Sequence, residues 1–138
     1  MRISDEDLGF LLDKLYHVPN AICELGAWLT ENYKGRVVTR NLIAEALDTL
    51  VDQRQTYGYR LQAFSELDKR VLFEIAKKGY VISPHATEFV LALGKSKSTI
   101  GNSIHKLMDQ GLLEQELERG YRLSDPILGH YLVKKENW

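Results

Sequence analysis

Residues 94–126 read GKSKSTIGNSIHKLMDQGLLEQELERGYRLSDP, and this stretch decides the fold. Gly94 breaks the chain, and a helix is expected from about Lys97 to Gly111. Ile100, Ile104, Leu107 and Met108 recur at helical spacing and form its inner face. Two strand-like segments follow, Leu112–Glu118 and Tyr121–Ser124, joined at Arg119-Gly120. Asp125-Pro126 then caps a last short helix that carries Ile127, Leu128, Tyr131 and Leu132.

Upstream, Ser65-Glu66-Leu67-Asp68 matches a capping box, in which serine and carboxylate satisfy open N–H groups at a helix start. Leu67, Val71, Leu72, Ile75 and Ala76 share one face of that helix, and Gly79 closes it. Tyr80-Val81-Ile82 is β-like, and Ser83-Pro84 is expected to cap a helix with Phe89, Val90 and Leu93 inside. The order is helix, short strand, helix, turn, helix, β-hairpin. That is a helix-turn-helix with a hairpin wing, whose helix after the turn is the one expected in a DNA major groove.

Residues 1–56 read as three helices without a strand. Ser4 with Asp7 caps the first, which carries Leu8, Leu11, Leu12 and Leu15; Pro19 opens the second, with Ile22, Leu25 and Leu29; Thr39 precedes the third, with Ile43, Ala46, Leu47, Leu50 and Val51. The expected fold class is mainly α with a small β-hairpin wing, divided into a helical unit 1–60 and a winged helix-turn-helix 61–138.

The 138 residues are 44% hydrophobic and 27% charged, an ordinary globular composition. No apolar run reaches the ~20 residues of a membrane span. The acidic start, Ser4 to Asp7, does not read as a secretory signal, so a cytoplasmic protein is expected. The single Cys23 excludes an internal disulfide and reads as a buried small hydrophobe in an apolar helix. His17, His85, His105 and His130 stand singly, so neither a metal site nor any cofactor is expected. The formal net charge is −1, and residues 66–138 hold 11 basic against 10 acidic residues. Any nucleic-acid affinity must therefore come from a local patch.

The helix after Gly94 offers such a patch. No Asp or Glu occurs between Glu88 and Asp109, while Lys95, Lys97 and Lys106 fall in that interval. Lys97, Ser98, Thr99, Asn102, Ser103 and Lys106 are expected toward solvent, small hydrogen-bonding groups flanked by cations. Asn102 suits base readout, because its amide can bond adenine at two points. Ser98 and Thr99 lie near the helix N-terminus, where N–H groups favour a phosphate. On the wing, Glu114, Glu116 and Glu118 oppose phosphate; Arg119 and Arg122 either reach DNA or pair with these glutamates.

Ser98-Thr99-Ile100, Leu107-Met108-Asp109-Gln110-Gly111-Leu112-Leu113 and Gly120-Tyr121-Arg122-Leu123-Ser124-Asp125-Pro126-Ile127-Leu128 resemble the C-terminal winged helix of archaeal AAA/STAND-type P-loop ATPases. In that family a Tyr-x-Leu-x-Asp-Pro segment follows the wing. The N-terminal helices are similar to the family's lid, with the proline of a Gly-Gly-x-Pro segment present in Tyr16-His17-Val18-Pro19 and Trp28-Leu29-Thr30 following. No G-x-x-x-x-G-K-[ST] loop occurs, so no ATP hydrolysis by this polypeptide is expected. The resemblance implies a DNA-binding module that belongs to, or is detached from, an ATPase. Its expected partner is double-stranded DNA; the alternative is a protein-interaction module that docks on an ATPase core or on a second copy of itself.

Overall fold

The fold is taken from a computed structural model that describes residues 1–54, 56–84 and 86–134, without the side chain of Thr87. The described residues divide into two compact units, residues 1–54 with 125–127, and the described residues of 55–124 with 128–134.

The first unit holds α1 (Asp5–Lys14), α2 (Pro19–Asn32) and α3 (Arg40–Gln53). Ser4 Oγ accepts from Asp7 N at the start of α1, and Thr39 Oγ1 accepts from Leu42 N at the start of α3. Leu11, Leu15, Leu25, Leu29, Ile43 and Leu50 build the core. The expectation of an all-helical unit is corrected here. Arg2–Ile3 (β1) pairs in parallel with Val37–Val38 (β2). Two residues per strand are too few to show alternation, so periodicity could not reveal them. Cys23 is also corrected. It is exposed, on the side of α2 away from Ala21, Leu25 and Leu29.

The second unit opens with α4 (Thr56–Leu61), a short helix not foreseen from the sequence, whose Tyr57 ring meets Tyr131 edge-on at 5.3 Å. There follow α5 (Glu66–Lys78), α6 (Thr87–Leu93), α7 (Lys97–Asp109), the antiparallel pair β3 (Leu113–Glu116) and β4 (Gly120–Leu123), and α8 (Pro126–Lys134), of which residues 128–134 belong to this unit. Helix α6 starts at Thr87, not at Ser83-Pro84 as expected. Pro84 is buried in the connection, and Ala86 N bonds Ser83 O, so that segment forms a turn ahead of the helix. Val71, Leu72, Ile75, Phe89, Leu93, Ile100, Ile104, Leu107 and Leu123 form one core shared by the three helices and the wing.

Val81 exchanges two 2.9 Å hydrogen bonds with Tyr121 and so adds a one-residue third strand to the hairpin. Gly120 makes this approach possible. A Cβ there would lie 2.3 Å from the Val81 carbonyl oxygen, and its φ is +93°.

Candidate nucleic-acid interface

Helix α7 is set by its ends. Gly94 closes α6 in the left-handed conformation, and Arg70 of α5 donates to the Ala92 carbonyl at 2.9 Å. Ser96 then caps α7, accepting from Thr99 N at 3.3 Å while its hydroxyl meets Thr99 Oγ1 at 2.8 Å. Ile100, Ile104 and Leu107 face the core. Ser98, Asn102, His105 and Asp109 are exposed and, at i, i+4, i+7 and i+11, form the outermost ridge. Lys95 and Lys97 are exposed at its N-terminal end and form no ion pair among the described residues. Thr99 is exposed, though its hydroxyl is engaged with the cap.

Two expected contacts sit differently. Ser103, expected toward solvent, is 5% exposed, and its hydroxyl donates to Asp68 Oδ1 at 2.6 Å. Lys106 is half-exposed, and its ammonium donates to Asp68 Oδ2 at 2.7 Å beside the Phe64 ring. One turn of helix separates 103 from 106, so both reach back to α5 on the flank that faces it.

Asp68 occupies the acidic position of the Ser65 capping box. Its backbone N–H does use Ser65 Oγ, but the carboxylate turns across to α7. Burial alone would push the Asp68 carboxyl up; hydrogen bonds from Lys106, Ser103 and Ser65, with the Lys106 charge, outweigh it and hold the group below its ordinary value.

On the wing, the choice left open for Arg122 is settled. It is 8% exposed and donates to Glu116 at 2.9 Å, to Glu114 at 2.8 Å and to the Leu123 carbonyl at 2.9 Å. Arg122 therefore does not reach outward from the wing. Its guanidinium beside Glu116 holds that carboxyl below the usual range, against a smaller opposing effect of burial. The same contacts offset one of the three carboxylate charges expected on the wing, those of Glu114, Glu116 and Glu118. Arg119 is exposed at the turn, with its guanidinium 5.5 Å from the Tyr80 ring. Leu117, at the tip, is 93% exposed.

The structure thus brings Lys95, Lys97, Ser98, Thr99 and Asn102 to one surface and withdraws Ser103, Lys106 and Arg122 into ion pairs or the core. It adds His105, whose spacing from Ser98 and Asn102 was the available signal. No group of three metal-ligating side chains occurs among the described residues, and no described helix is long and apolar enough to cross a membrane.

A family model described as "probable winged helix domain" matches residues 55–134, more than half of the chain. The chain belongs to this family. The matched range begins just before α4 and ends with α8, so this winged helix includes the flanking helices as well as the α5–α7 trio and the wing. No curated protein and no solved structure matches the chain.

Proposed function

We propose that this winged helix binds double-stranded DNA, with α7 in the major groove. The observation that carries the proposal is the exposed, carboxylate-free ridge over the first turns of α7 beside two lysines that form no ion pair among the described residues. Lys95 and Lys97 take phosphates, and Ser98, Asn102 and His105 face base edges. The helix N-terminus adds its own preference for a phosphate. Lys106 contributes little, because Asp68 already neutralises it.

The Gly120–Leu128 segment supports placing the module at the C-terminus of an archaeal ATPase, or as a detached relative of one. It acts by binding and carries out no reaction of its own.

Fluorescence anisotropy with a duplex tests this reading. Affinity is expected to fall steeply with salt, and Lys95→Glu with Lys97→Glu to weaken binding on the order of a hundredfold at low salt. Asn102→Ala is expected to cost about 1–3 kcal/mol on a preferred sequence and little on random DNA. Equal titrations for wild type and the double variant would defeat the proposal. Lys106→Glu is a poor probe, since it would set two carboxylates together beside Ser103.

A second reading, docking on a protein, is favoured by the exposed Ile82, Leu91 and Leu117. An ATPase core or a second copy of the chain is the partner it implies. It predicts that Leu117→Ser changes assembly and leaves DNA binding unchanged.

A further inference from the structure

Residues 1–54 hold six basic against nine acidic residues, yet three of the six cations collect around one pocket. The other three are engaged. Arg40 pairs with Glu6 and Asp7, Arg54 pairs with Glu24, and Lys14 lies over the Phe10 ring. Arg2, Lys34 and Arg36 are exposed and form no ion pair among the described residues, despite the surplus of acid in their own unit. They line a pocket of about 260 Å³ with Leu29, Tyr33 and Gly35, and no carboxylate lines it.

The pocket is held by structure on both sides. Arg2 lies in β1 opposite Val37 of β2, and the turn before β2 is closed by the bond from Arg36 N to the Tyr33 carbonyl. The Arg36 guanidinium rests 5.3 Å from the Tyr33 ring centre, and Trp28 packs against that ring at 5.7 Å. The C-terminus of α2 lies here as well, but its dipole is equivalent to only about half a negative charge. Three cations against that value leave the lining of this concave surface locally positive, over an apolar floor at Leu29.

We infer that this pocket binds a small phosphate-bearing anion, with the Arg2 and Arg36 guanidinium groups gripping its oxygens and Lys34 adding charge. Two guanidinium groups flanking one pocket fit a tetrahedral dianion, because each fork can donate two parallel hydrogen bonds. The site is distinct from the ridge on α7.

The test is an amide NMR titration of the full chain with inorganic phosphate and, separately, phenyl phosphate, against sodium chloride at equal ionic strength. Saturable shifts confined to Arg2–Ile3 and Tyr33–Val38 are expected, with α7 amides unmoved. The tighter of the two probes tells whether the free ion or a phosphomonoester is the better ligand. Arg2→Ala with Arg36→Ala is expected to weaken binding tenfold or more, and Arg36→Lys by less, since charge stays while the fork is lost. Both positions are exposed, and dispersion of the remaining amides reports that the variants fold. Shifts reproduced by chloride, or equal binding by the double variant, would overturn the inference. A failed DNA titration would leave it standing, because the two sites share no residue.

Discussion

Asp68→Ala is expected to lower the unfolding free energy by about 3 kcal/mol, read as a fall in the urea midpoint at unchanged slope. The carboxylate is buried and accepts from Ser103 and Lys106, so its removal strips a buried hydroxyl of its partner and leaves an ammonium unpaired. The half-exposure of Lys106 keeps the estimate at the low end of the range for buried pairs. Asp68→Asn is expected to cost less, since an amide oxygen can still accept from Ser103. The effect depends on pH in a defined direction. The folded carboxyl lies below its ordinary 3.8, so its contribution is complete above that value and is lost as pH falls through the folded one. Asp68→Asn should remove that part of the acid sensitivity. A midpoint unchanged by Asp68→Ala would show that the pairing does not hold α7 to α5.

Gly120→Val should be more damaging still, by about 3 kcal/mol or more. The added Cβ would meet backbone, Val81 O at 2.3 Å and Ile82 Cα at 2.5 Å, and backbone cannot swing aside as a side-chain tip can. The third strand must detach or the wing must tilt. Gly111→Ala is the control. Its φ is also positive, at +76°, but nothing lies within 4 Å of its Cβ, so only the left-handed cost of about 1–2 kcal/mol applies. Thermal melts should rank wild type, Gly111→Ala and Gly120→Val in falling order. Equal midpoints for the two variants would mean that the Val81 bridge adds no stability.

Helices α5 and α7 and the end of α6 are legible because each has a local signature. Ser65 and Ser96 cap, Gly79 and Gly94 stop, and the apolar residues of α5 and α7 repeat at helical spacing. The failures share a cause, which is that the deciding partner is distant in the chain. Asp68 looked like a capping-box acid, yet its partners lie 35 and 38 residues away. Ser103 and Lys106 looked like solvent positions, because polarity alone cannot show that a facing helix offers a carboxylate. Arg122 has both DNA and the wing glutamates open to it in the sequence, and it is the strand register that sets it across from Glu114. The β1–β2 pair spans 35 residues with two on each strand, below any periodic signal. Ser83-Pro84 is the exception: it has the local form of a helix start, yet a bond only three residues long, from Ala86 N to Ser83 O, turns the chain before α6 begins.

An amide NMR titration of the chain with a short duplex at low salt bears most directly on the central claim. The largest shifts are expected at Lys97, Ser98, Asn102 and His105, and they should collapse as salt is raised. Shifts centred instead on Ile82, Leu91 or Leu117, or no shifts from α7 at saturating duplex, would contradict it.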